Sequence, residues 1–439
     1  GGVGVPVLPA VATLHIIYYA FPIVRGREDI LEYAYADVLR AAATVSLFLA
    51  IATFSAYLLL RGMRTATVLR AGLLSDSQMV TLVFLGLGLG NLFLVAGASD
   101  SLWWLGGFFG LVRSIALTAL LVACYFLGVA RGRRVLTGGR WVVAGGGLIL
   151  AIAVSWSSLY LVGGLMFLLA ASVGYVTSRG QVPWLIVGIS VVLVSILHAG
   201  KEEMRHRYWR QESGTVARAG LAQLPSLALE WFRVGLQTVG SPSPGRGALD
   251  RASLLQILLK VQFLTPAFID YANGETYAML PQMLTPRFIN RDKLKSQAAM
   301  DLLNVRYGIQ SVEGTETTAV GWGLIAESYA NFGFVGVALI GILVGAACGL
   351  LTRWSARGAS VSVPTLMAVA VMVSLINLEQ VLASLVTSLL QSTIAIGVFI
   401  FVLRLFPAGR RSKVREASPF DAASGTGLSR PAASNVRGR

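Results

Sequence analysis

Long apolar runs recur along this chain, separated by short polar loops, until the pattern breaks between Ala199 and Trp322. A helix of about 20 apolar residues crosses a hydrocarbon core of about 30 Å. Windows of that length fall near 3–24, 39–60, 78–98, 102–130, 141–157, 158–177, 182–199, 333–351, 363–380 and 388–405. The pattern predicts an all-α polytopic membrane protein with about ten transmembrane helices and one large outer loop. The window 102–130 is too long for one straight helix and contains Arg113. LWWLGGFFG therefore reads as an interfacial aromatic segment ahead of the span proper. Four regions follow: an N-terminal transmembrane bundle over 1–198, the loop over 199–320, a C-terminal bundle over 321–405 and a tail over 406–439. Rich in Pro, Gly, Ser and Arg, the tail is expected to be disordered.

The loop has its own pattern. Apolar residues at helical spacing over Leu221–Val239 and Ala252–Tyr271 flank a chain break at SPSPGRG, 241–247. A turn and a short surface helix are expected over Tyr271–Phe288, ending at Pro286, and another helix over Lys293–Tyr307. These read as short helices lying on the membrane bundle, not as an independent soluble fold.

Composition agrees with a membrane protein: of 439 residues, 55% are hydrophobic and only 13% charged, against about 25% charged in soluble domains. A net charge of +15 would point to nucleic acid in a soluble chain. Here most of the arginines sit beside apolar spans, so topology accounts for them and no nucleic-acid partner is expected. Arg61, Arg64 and Arg70, then Arg131, Arg133, Arg134 and Arg140, then Arg179, then Arg353 and Arg357 occupy alternate loops. The excess of arginine marks the cytoplasmic side. Both termini are then cytoplasmic, and the loop faces the periplasm. Cys124 and Cys348 lie inside apolar spans and read as packing residues. The chain starts Gly-Gly-Val without Met, so a preceding segment, and with it an earlier span, is expected.

Candidate chemistry is concentrated in the loop. In HAGKEEMRHRYWR (198–210), Lys201, Arg205 and Tyr208 share a helix face. Lys201 and Arg205 either meet a pyrophosphate together or form an interfacial collar anchored by Trp209; basic clusters on the outer side run against the usual bias. Arg251, Arg287, Arg291 and Lys293 are further cations on that side, with Arg287 held between Pro286 and Phe288. Glu275, after the turn glycine Gly274, either orients a sugar hydroxyl or pairs with a nearby arginine. Glu327, in GWGLIAESYANFGFVG (321–336), lies at the interface, where an ionisable group needs a partner. It is either the salt-bridge partner of an arginine such as Arg287 or a functional carboxylate. Gly333 and Gly336 permit close helix approach. His198, at the outer end of its span, is a structural residue or a general base. No metal-ligand or nucleotide motif is present, so no cofactor is expected.

Lys-x-x-x-Arg with a following Trp, GETY, L-x-PRF-x-x-x-DK, and AESYANFGFVG leading into a span together resemble the Wzy-type O-antigen and exopolysaccharide polymerases. The resemblance covers about 198–350 by motif and the whole chain by topology. Where that family commonly has Trp-Pro before the Asp-Lys, this chain has Asn290-Arg291. What the resemblance implies is a GT-C-like membrane glycosyltransferase of the bacterial inner membrane. It would join undecaprenyl-pyrophosphate-linked oligosaccharides, donor to acceptor, without a metal. Lys201, Arg205, Arg287 and Arg251 would hold the pyrophosphate, with Glu275 and Glu327 as acceptor-positioning groups or base and His198 in reserve. Membrane lipids and a chain-length regulator are the other partners this implies. The related O-antigen ligases share topology and donor and differ in acceptor. A transporter or flippase would place ionisable groups mid-span, where only Arg113 and Glu379 approach.

Overall fold

Among the described residues the chain is helical throughout, and no strand occurs. The computed structural model describes residues 4–24, 26, 28–61, 74–98, 109–208, 221–240, 254–285, 290, 293–317, 320–359 and 361–405. Eight helices in it are long and apolar enough to cross a membrane. They are α1 (Val7–Val24), α2 (Tyr35–Leu60), α3 (Asp76–Ala98), α4 (Phe109–Gly132), α5 (Gly138–Trp156), α6 (Leu161–Arg179), α15 (Gly323–Arg357) and α17 (Leu382–Leu405). Two shorter apolar helices, α7 (Trp184–Ala199) and α16 (Val363–Ile376), occupy the remaining windows of the sequence pattern. Exposed Leu185, Ile189, Val192, Leu339, Leu343 and Phe401 show the apolar outer surface expected of a bundle whose solvent is lipid. This is a polytopic α-helical membrane protein.

The loop folds into α8 (Lys201–Tyr208), α9 (Leu224–Gly240), α10 (Leu255–Leu264), α11 (Glu275–Ala278), α12 (Leu280–Leu284), α13 (Ala298–Arg306) and α14 (Val312–Thr317). α9 and α10 are shorter than the periodicity suggested. α10 stops at Thr265, because Pro266 has no amide hydrogen to continue it. The expected surface helix at 271–288 is two short ones, and Thr276 and Met283 within them are buried. Its expected end, Pro286, and the tail after Leu405 lie outside the described residues.

Among the described residues, several helix pairs approach closely enough to require glycine. In α15, a Cβ on Gly345 would collide with the Ala52 carbonyl of α2. Between α4 and α6, Gly128 and Gly174 meet the facing carbonyls of Ala171 and Tyr125 in the same way. Lipid gives no hydrophobic drive for helices to associate, so such backbone contact supplies the van der Waals packing.

The two ends of the bundle differ. At one, Arg133 pairs with Asp76 at 3.0 Å, Arg353 donates to the Leu59 carbonyl at 3.1 Å, and the Val5 amide donates to Ser355 Oγ at 3.0 Å. Arg61, Arg131, Arg134, Arg140 and Arg179 fall at this end by the alternation of the helices. The loop helices and the turns 157–160 and 377–381 lie at the other.

Candidate functional site

α7 gives way to α8 through Gly200, and that junction fixes the basic pair. A Cβ on Gly200 or Gly235 would collide with the facing backbone, so α9 crosses α7 at contact distance. Trp231 Nε1 donates to the Leu197 carbonyl at 2.6 Å, and Glu230 accepts from Tyr208 at 2.6 Å and Arg207 at 3.0 Å. Glu230 is thereby held below the usual carboxylate range, first by the Tyr208 hydroxyl and then by Arg207. With α8 clamped on this side by Arg207 and Tyr208, Lys201 and Arg205 stand half-buried on another. The Arg205 guanidinium lies 4.8 Å from the centre of the Tyr160 ring and donates to the Leu159 carbonyl at 3.3 Å.

Both cations act electrostatically on Glu379, in the turn between α16 and α17. The surrounding protein nevertheless holds its carboxyl above the usual range, outweighing the pull of Lys201 and Arg205, although the residue is partly open to solvent. Tyr18 of α1 is a further neighbour of Glu379. α1 winds as a π-helix over Ile16–Ala20, a geometry that often accompanies functional sites. Tyr19 in the same stretch points toward Gly323. Beneath the 377–381 turn lies a cavity of about 20 Å³ lined in part by His15, Ser374, Asn377 and Gln380, large enough for one water.

On the loop side of the bundle α15 breaks. Phe332 and Gly333 leave helical geometry, Gly333 at φ 58°. The carbonyls freed above the break are taken up by the loop: Ala272 N–H donates to Ala330 at 2.9 Å and Asn273 N–H to Asn331 at 3.2 Å. Asn331, fully buried, pins the same segment. Its Oδ1 accepts from Gly274 N–H at 3.0 Å, and its Nδ2 donates to Thr276 Oγ1 at 2.8 Å and to the Glu327 carbonyl at 2.9 Å. Gly333 therefore serves a kink: its positive φ suits glycine, and a Cβ there would sit 3.0 Å from the Tyr271 hydroxyl. Only Gly336 makes the close approach expected of both glycines, and it makes it across the break, to the Ser328 carbonyl.

Glu327 is fully buried one turn above the kink, within a helix that begins ten residues before the expected window. Its Oε2 accepts from the Leu382 amide at 2.6 Å, Oε1 has no hydrogen-bond partner of good geometry, and the Thr276 hydroxyl lies beside the carboxylate. Among the described residues its partners are backbone and hydroxyl groups, with no arginine. Burial and the Glu327 carboxylate together push the Tyr277 phenol up. Glu275 pairs with Arg306, the second of the two roles open to it. His198 is half-buried on the last turn of α7, three residues before Lys201. Arg251, Arg287 and Arg291 lie outside the described residues.

No family model matches this chain, and neither does any curated protein or solved structure.

The structure thus sets Lys201 and Arg205 one turn apart on α8, both acting on the solvent-open carboxylate Glu379, and buries a second carboxylate, Glu327, inside α15. Tyr18 and Tyr160 escaped the sequence reading, and Glu379 entered it only as a charge weighed for a transporter. Each is a single polar residue in or beside an apolar span and carries no periodic signal. Only Glu379, an acid in the short NLEQ turn, left a trace.

Proposed function

We propose that this chain is a membrane glycosyltransferase that polymerises undecaprenyl-pyrophosphate-linked oligosaccharide repeat units into a surface polysaccharide. The observation that carries the reading is the placement of Lys201 and Arg205, one turn apart, with Arg205 over the Tyr160 ring and both cations acting on Glu379. A guanidinium fork and an ammonium together complement a pyrophosphate, the first by paired hydrogen bonds and the second as a point charge. The leaving group is already activated, so neutralising its charge as it departs lowers the barrier. An acceptor hydroxyl then needs alignment and a base.

The topology fits ten spans: the eight long helices plus α7 and α16. At 14 residues, α16 extends only about 21 Å. The turn 377–381 follows it at the loop end, its backbone bonded to the start of α15. The arginine-rich end is then cytoplasmic and the Lys201–Arg205 pair periplasmic, in a GT-C-like arrangement. In this reading Arg287 and Arg251 add to the pyrophosphate site, and Glu275 with Arg306 lines the acceptor side. Glu327 positions the α17 end of the turn.

Purified chain incubated with undecaprenyl-pyrophosphate-linked oligosaccharides, extracted from cells lacking it, should yield a ladder of longer lipid-linked glycans. Transfer to a different acceptor, leaving no lipid-linked ladder, would make it a ligase; His198, close before Lys201, is the residue that reading would use.

A further inference from the structure

The reading above needs a group to take the acceptor's proton, and the carboxylates singled out in the loop are otherwise engaged. Glu275 is paired with Arg306. Glu327 has no exposed surface and is bonded to the Leu382 amide. Glu379 differs from both: it is exposed, and both Lys201 and Arg205 act on it.

Its backbone is held on two sides. The Glu379 carbonyl accepts from Trp322 N–H at 3.0 Å and from Gly323 N–H at 3.4 Å, where α15 begins. Three residues on, Leu382 N–H is held by Glu327. A side chain at Gly321 would collide with the Glu379 Cβ, so the glycine lets the turn seat against 321–323. The neighbours are equally fixed: Trp322 is fully buried, with Nε1 donating to Asn304 Oδ1 at 2.7 Å. A catalytic group is effective when its frame is locked in this way.

We propose that Glu379 is the general base of the transfer, standing in the 377–381 turn within electrostatic reach of the cations that receive the leaving pyrophosphate. The proposal rests on Lys201 and Arg205 being the pyrophosphate site. As the acceptor oxygen forms its bond to the donor anomeric carbon, its proton passes to the Glu379 carboxylate. The bond from that carbon to the pyrophosphate oxygen breaks, and its electron pair leaves with the lipid pyrophosphate onto Lys201 and Arg205. Water then takes the proton from Glu379, and the base is restored. Among the described residues, the titratable and charged groups that act on or face Glu379 are Lys201 and Arg205 from α8 and Tyr18 from α1. Desolvation by the protein packed around this partly open side chain outweighs the two cations, so the carboxyl ionises above the usual carboxylate range and its conjugate base is stronger for it.

The test is steady-state polymerisation by the full chain in lipid nanodiscs, using extracted undecaprenyl-pyrophosphate-linked oligosaccharide, with E379Q and E379D. Pyrophosphate binding is followed separately by calorimetry with inorganic pyrophosphate. For E379Q, kcat should fall about 10²–10⁴-fold, with KM and pyrophosphate affinity within about threefold of the parent. The parent's activity should rise with pH along an acid limb that lies above the usual carboxylate range, and E379Q should lose that limb. E379D should keep the limb at a reduced rate. If E379Q fails to accumulate, E379D decides: a preserved limb with lowered kcat supports the proposal, and unaltered kcat refutes it. E379Q with near-parent kcat and an intact limb overturns the base assignment alone. Loss of pyrophosphate binding with kcat preserved shows instead a residue that arranges the cations. A folded parent that neither binds pyrophosphate nor extends the glycan overturns the functional reading itself.

Discussion

The Arg205 guanidinium lies over the Tyr160 ring, 4.8 Å from its centre, on a turn about 45 residues earlier in the chain. That contact joins the start of the loop to the turn between α5 and α6 and fixes which way the cation faces. A planar cation serves here better than a compact one, because it stacks and donates along two edges at once.

Arg205→Lys should therefore impair function despite conserving charge. Loss of charge-assisted bonding worth about 1.5–3 kcal/mol corresponds to a roughly tenfold to hundredfold drop in pyrophosphate affinity. Calorimetry with inorganic pyrophosphate and the polymer ladder, both at equal protein level, provide the check. Unaltered affinity would remove Arg205 from the anion site.

The kink in α15 depends on Asn331 and Gly333. Gly333→Ala should cost about 1–2 kcal/mol, because φ 58° is unfavourable for a residue with a Cβ and the Tyr271 hydroxyl stands in the way. Asn331→Leu should cost about 1–3 kcal/mol by removing the acceptor of the half-buried Gly274 amide. Thermal unfolding in detergent measures both. An unchanged midpoint for Asn331→Leu would mean that the 271–276 segment is not docked as described.

Glu327 gives a sharper contrast. In Glu327→Gln the amide oxygen can still accept from Leu382 N–H, so abundance, melting and transfer should stay close to the parent. Glu327→Leu leaves that amide unpaired and should lose about 1–3 kcal/mol together with membrane abundance. A stable, abundant and inactive Glu327→Gln would instead make Glu327 part of the chemistry.

Orientation is checked with two single cysteines in a chain whose buried Cys124 and Cys348 are replaced by alanine. Val312→Cys, at a position 62% exposed on the loop side, should react with an impermeant maleimide in intact spheroplasts. Gly139→Cys, at the arginine-rich end, should react only after the membrane is opened. The reverse pattern would invert the topology.

The spans were legible in the sequence because a membrane demands long apolar helices and leaves few other solutions. The same demand made the alternating arginines readable, and the tight spacing of Lys201 and Arg205 put both on one helical face before any fold was known. Burial of Glu327 was not legible in the same way. Helical periodicity showed α15 only from Gly333 onward, since Glu327, Ser328 and Asn331 interrupt the apolar run that marks a span. Those polar residues sit inside the helix because the broken backbone and the 271–276 segment satisfy them, and that compensation is tertiary.

Glu379 illustrates the same division. Its position in a short turn between two apolar helices was plain, but its neighbours come from α1, α8 and the start of α15, hundreds of residues apart in the chain. The sequence by itself determined where the chain is greasy, where it is charged and which cations share a helix face, since these are local properties of composition and period. Only the tertiary structure decided which carboxylate is buried, which is paired and which stands open beside the cations, because desolvation and Coulomb interaction depend on distances that chain order does not contain.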